Sequence, residues 1–117
     1  MGFGGGMSGN LGKMLKKQMD EMQRKMERIQ AELGEERIEA TAGGGMVTAI
    51  ADGMGELRAV RIKPEVVDPE DVEMLQDLVT AAVNEALSQA QTRRESRMAE
   101  VTGGLNLPGM GGMPGLF

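Results

Sequence analysis

Gly43-Gly44-Gly45-Met46-Val47-Thr48-Ala49-Ile50-Ala51-Asp52-Gly53, continued by Leu57-Arg58-Ala59-Val60-Arg61-Ile62-Lys63-Pro64-Glu65, is the stretch that decides the fold. Two alternating runs rich in β-branched residues flank Asp52-Gly53-Met54-Gly55, and Asp-Gly favours the positive φ of a tight hairpin turn. Two antiparallel strands are therefore expected. Upstream, Glu36-Arg37-Ile38-Glu39-Ala40-Thr41-Ala42 alternates weakly and supplies a third. The glycine run between them reads as a turn. A phosphate-cradling loop would end in Gly-Lys-Ser/Thr and open a helix, whereas a strand follows here. Val47, Ala49 and Ala51 face one way, and Met46, Thr48 and Ile50 the other. Neither face is purely polar, which fits a sheet covered by helices on one side and partly by a partner subunit on the other.

Working outward, Leu15, Met19, Met22, Met26, Ile29 and Leu33 step by four and three residues, the heptad seam of a long helix widened by Met14. Residues 1–10 hold too much glycine to fold, Asn10 is placed to cap the helix, and Gly34 to end it in a left-handed conformation. Past the strands, Asp68-Pro69-Glu70-Asp71 reads as a helix start, with Asp68 as cap and Pro69 at the first helical position. An apolar stripe then runs Val72, Leu75, Leu78, Val79, Ala82, Val83, Ala86, Leu87, Ala90, interrupted by Asn84, which is placed to hydrogen-bond a loop backbone. No breaker stops this helix before Glu100. From residue 103 to 117, glycine and proline with scattered Leu, Met and Phe predict a flexible tail. The expectation is an α+β domain over 11–102, with a long helix at each end of a three-stranded antiparallel sheet.

The chain is 117 residues long, and its two aromatic residues, Phe3 and Phe117, lie in the expected loose ends. An aromatic-free core buries little area per residue, so a domain this small is expected to borrow burial from a second copy of itself. Val60, Ile62, Leu78 and Val83 are the residues assigned to the core and the dimer contact. Cysteine is absent, which suits a reducing cytoplasm and excludes disulfides. No apolar run approaches the roughly 18 residues of a membrane span. With neither His nor Cys, the chain lacks an imidazole base and a thiolate nucleophile. Ser8, Ser88 and Ser96 sit in no nucleophile elbow. The sequence therefore predicts no enzyme, no cofactor or metal, no small-molecule substrate and no membrane partner.

The net charge is −5, but its distribution is uneven. Glu65, Asp68, Glu70, Asp71, Glu73 and Asp77 form one acidic block, while Lys13, Lys16, Lys17, Arg24, Lys25 and Arg28 dominate the first helix and Arg93, Arg94 and Arg97 the last. Screening confines electrostatics to about 10 Å at ordinary salt, so local field decides what such a chain attracts. Duplex phosphates are the better target, since there are no interior aromatics on which single strands could stack.

Glycine run, hairpin, the Ile62-Lys63-Pro64-Glu65 exit and the Ala81-Ala82-Val83-Asn84-Glu85-Ala86 helix, in this order, resemble the YbaB/EbfC family of bacterial nucleoid-associated proteins over residues 11 to 102. The resemblance implies an α-β-β-β-α protomer whose homodimer projects paired helices like tweezers that grip or bridge double-stranded DNA in the nucleoid, with an effect on gene expression. Carried onto this sequence, the gripping residues are Lys13, Lys16, Lys17, Arg24, Lys25 and Arg28 on the first helix, and Arg93, Arg94 and Arg97 near the end of the last. Two other readings stand beside it. One is a protein–protein adaptor using the Met-rich helix face. The other is an amphipathic membrane-surface helix, disfavoured by the acids within 13–33 and the lack of Trp or Phe there.

Overall fold

Three strands of six residues form one antiparallel sheet: β1 (Arg37–Ala42), β2 (Val47–Asp52) and β3 (Leu57–Ile62), with β2 in the centre. They follow α1 (Gly2–Glu35) and precede a short 3₁₀ turn (Pro64–Val66) and α2 (Val72–Gly103), the α-β-β-β-α order expected. The computed structural model describes residues 2–103, with side chains from 9 to 101. The tail expected over 103–117 lies, beyond Gly103, outside the described residues.

Pairing of Ile38 with Ala51, Ala40 with Ala49 and Ala49 with Val60 sets one apolar face of the sheet. On it Ile38, Ala40, Val47, Ala49 and Ala51 are buried against Ala82, Ala86 and Ala90 of α2. Alanine meeting alanine lets the helix lie close to the sheet, and the alternation read along β2 is the one observed. The opposite face carries Glu39, Thr41, Thr48, Ile50, Ala59 and Arg61, with Arg61 reaching Glu39 across β2 at 3.9 Å. A bulge between Ile50 and Ala51 leaves Arg58 without a pairing partner in β2 and turns it toward Asp52.

Of the core assignments, Val60, Leu78 and Val83 are half-buried and pack on this cluster. Ile62 does not. It is 40% exposed, because β3 is a sheet edge that α2 barely covers.

Several ends differ from their sequence signals. α1 starts at Gly2, ahead of Leu11. It runs through Gly34 to Glu35, and Gly34 has no positive φ. The last carbonyls are satisfied instead by the chain that folds back: Gly53 N–H donates to Leu33 O at 2.8 Å, and Arg37 Nη1 to Gly34 O at 3.0 Å. At the other helix, Asp71 rather than Asp68 is the cap, its Oδ1 accepting Met74 N–H at 3.2 Å. Asp68 closes the preceding turn through Glu70 N–H, and Pro69 stays outside the helix. Asn84 is exposed and bonds no loop backbone among the described residues.

Candidate nucleic-acid interface

α1 and α2 meet only at their carboxy-terminal ends. Ile29 and Leu33 are buried against Val101, with Met22 and Met98 packed around them. Lys25 Nζ donates to the Glu100 carbonyl at 3.3 Å, and Arg97 reaches Glu32 and Glu36, so the two helices run antiparallel. α2 thus ends about level with Lys25. From there α1 continues alone toward its start, and every residue from Gly9 to Glu21 is exposed. At a rise of about 1.5 Å per residue, Lys13 stands roughly 18 Å beyond Lys25. This is a projecting arm.

The basic residues divide into two groups by what holds them. Lys13, Lys16, Lys17 and Arg24 make no ion pair or side-chain hydrogen bond among the described residues. Arg93, Arg94 and Arg97 are committed within the chain. Arg93 lies 3.4 Å from Glu36 Oε2, a buried oxygen that has no hydrogen bond of its own. Arg97 bonds Glu32 at 2.6 Å and Glu100 at 3.1 Å, and lies 3.7 Å from Glu36. Those hydrogen bonds, Glu32 first, keep its guanidinium pKa above the usual value. Arg94 donates to the Met54 carbonyl at 2.5 Å, tying α2 to the β2–β3 turn. Arg28 sits loosely beside Glu32 at 3.9 Å, an exposed pair on one helix.

The nine basic candidates therefore do not form one patch. Lys13, Lys16, Lys17 and Arg24 line the free arm, while Lys25 and the arginines of α2 fasten the arm to the body. The acids of this clasp escaped the sequence reading, although a signal was present. Glu32 and Glu36 are spaced i, i+4, as are Arg93 and Arg97, and antiparallel helices can match two such pairs.

The β2–β3 turn that receives Arg94 is built on Asp52, read in the sequence as a turn residue but not as a buried partner of Arg58. Asp52 is 1% exposed, and its Oδ1 accepts Met54 N–H at 2.9 Å and Glu56 N–H at 3.0 Å. Its Oδ2 accepts Arg58 Nε at 3.0 Å and pairs with Arg58 Nη2 at 2.9 Å. Gly53 follows it without a positive φ. The turn's left-handed residue is Gly55, at φ 89°. Gly53 is needed for closeness: a Cβ there would lie 2.7 Å from the Leu33 carbonyl oxygen. Among the described residues no group of three or more His, Cys, Asp or Glu is arranged to hold a metal ion, and no helix is long and apolar enough to cross a membrane.

Residues 7–105 match the YbaB/EbfC DNA-binding family. A nucleoid-associated protein of Acetivibrio thermocellus is 53% identical over 96% of this chain and 94% of its own length. One of Pelotomaculum thermopropionicum is 52% identical over 89% and 98%. Among solved structures, the crystal structure of an uncharacterized protein from Helicobacter pylori covers 70% of this chain and 86% of its own, with a TM-score of 0.64 at 24% identity. That likeness bears on the fold alone.

Proposed function

The chain belongs to the YbaB/EbfC DNA-binding family, and on that premise we propose that it binds double-stranded DNA as a homodimer in the bacterial nucleoid, through the projecting arms of α1. The observation that carries this reading is the set Lys13, Lys16, Lys17 and Arg24, without partners among the described residues, on a helix that extends past the body. Phosphate contacts need such cations, since neutralising them releases counterions from the duplex. Arg93, Arg94 and Arg97 serve differently. They hold the arm and the turn in place, and their contribution to DNA is indirect. Binding of this kind organises or bridges duplexes without chemistry, acts on gene expression through DNA organisation, and places the protein on the nucleoid within the cytoplasm.

A gel-shift series on the full chain tests it. Lys16→Glu with Lys17→Glu is expected to weaken duplex binding at least about tenfold at low salt and to reduce the salt slope by about one unit per lost contact. Unchanged affinity would defeat the arm reading. A protein partner on the Met-rich face of α1 is the second reading, favoured by the exposure of Met14 and Met19. A complex with such a partner would withstand the salt that dissolves a phosphate contact.

A further inference from the structure

Asp20 stands among the cations of the arm. It is exposed, with Lys16 and Lys17 on its amino-terminal side and Arg24 on the other. These neighbours lie three or four positions away, a spacing at which side chains of one helix come within reach of each other. Yet Asp20 makes no ion pair or hydrogen bond among the described residues. Its charge is not neutralised within the chain.

Helix geometry puts this carboxylate on the face that the cations share. At about 100° per residue, the directions of Lys13, Lys16, Lys17 and Arg24 around the α1 axis average to a line about 20° from Asp20. Along the axis, Asp20 lies about 4.5 Å past Lys17 and about 6 Å before Arg24. The neighbouring acids are set apart. Glu21 lies about 80° from that line, and Glu27 comes after Arg24, where its Oε1 accepts Gln23 Nε2 at 3.4 Å. Asp20 thus occupies the path of any phosphate strand that Lys17 and Arg24 would hold together.

We propose that Asp20 limits how tightly the arm holds a duplex, an inference that rests on the arm as the DNA contact. A phosphate diester has no proton to donate, so it and the carboxylate repel where Lys17 and Arg24 attract. Screening over about 10 Å leaves this repulsion in force at one helical turn. It removes that of the distant acids: Asp77 lies about 35 Å before Glu100 along α2, and Glu100 meets Lys25 at the root of the arm. One acid inside the basic set therefore weighs more on DNA affinity than the acidic block on the body. It keeps the contact weak and open to exchange.

Gel shifts on full-length variants test this, at positions that are both exposed. Asp20→Asn is expected to bind duplexes at least about threefold more tightly than the parent at low salt, the effect of one repelling charge at this range. The gain should fade as salt rises and be equal on duplexes of different sequence, since phosphates carry no sequence information. Asp20→Lys should bind more tightly still and steepen the salt slope by about one unit per chain, whereas Asp20→Glu should bind like the parent. Asp77→Asn makes the same change in net charge and should leave affinity nearly unchanged. Equal gains from Asp20→Asn and Asp77→Asn would overturn the proposal, because net charge alone would then decide. So would weaker binding of Asp20→Asn to any duplex, the mark of a carboxylate that accepts from a base amino group in the major groove. Lys16→Glu with Lys17→Glu, run alongside, separates the two proposals. If the lysine pair weakens binding and Asp20→Asn does not strengthen it, only the role of Asp20 falls. If neither changes binding, the arm is not the contact and both fall.

Discussion

Asp52 shows how one side chain can hold a turn and the strand that follows it in register. Burial by itself would raise its pKa, but the Glu56 N–H, the Arg58 side chain and the Met54 N–H together hold it below the ordinary 3.8. The unfolded chain therefore takes up this proton more readily than the folded one. The stabilisation is complete above the unfolded value near 3.8 and is lost as pH falls through the depressed folded value. Asp52→Asn is expected to cost about 1–3 kcal/mol at neutral pH and to flatten the acid limb of the stability curve. Oδ1 still accepts the backbone N–H groups, while the amide NH2 in place of Oδ2 sets a donor against the Arg58 donors. Urea melts from pH 7 downward measure both, and an acid limb as steep as the parent's would remove Asp52 from its cause. Next to it, Gly53→Ala is expected to cost about 1–3 kcal/mol by driving a methyl into the Leu33 carbonyl. Asp-Gly was legible in the sequence as a turn. The reason for the glycine was not, because a close approach to a helix twenty residues earlier leaves no local mark, whereas a positive φ does.

At the scale of elements, the clasp decides where the arm points. Glu32 in the last turn of α1 and Glu36 just past it face Arg93 and Arg97 on α2, so the direction of the free segment is set where the helix is fastened. Arg97→Glu is expected to loosen that end: amides of residues 25–35 should exchange faster while those of β2 keep their protection. Glu32→Arg added to Arg97→Glu should restore slow exchange, and failure of the swap would reduce the contact to incidental surface pairing. The helices, the three strands and the inward face of β2 were legible because apolar spacing reports which side of an element is buried. The division of the α1 seam into a covered and an open half was not, since it depends on where α2 ends in space. The helix caps slipped for a related reason. Asp68-Pro69 and Asp71-Val72 are both competent starts, and the choice falls to the chain's path out of the Pro64–Val66 turn.

The whole molecule is long and thinly covered, 82 × 31 × 17 Å with an accessible surface of 8620 Å². A folded monomer of its 12.5 kDa would expose only about 6,200 Å². The core explains part of the excess, because Ala82, Ala86 and Ala90 against Ala40, Ala49 and Ala51 pack tightly while removing little apolar area from water. β3 adds to it as an edge strand with Leu57 and Ile62 at 41 and 40% exposure, the kind of edge that natural sheets cover or pair. A second copy on this edge would supply the missing burial, so light scattering of the parent at micromolar concentration is expected to give the mass of a dimer. Ile62→Lys separates assembly from folding, since this side chain contributes little to the single chain's core. The variant is expected to keep its helical circular dichroism, lose dimer mass and melt at a lower temperature. Leu78→Asp is expected to behave otherwise, costing several kcal/mol and unfolding the chain, because Leu78 packs against the sheet beside Gly43. A parent that scatters as a stable monomer would leave the bare β3 edge without a role, and an Ile62→Lys variant that still dimerises would move the interface to another face.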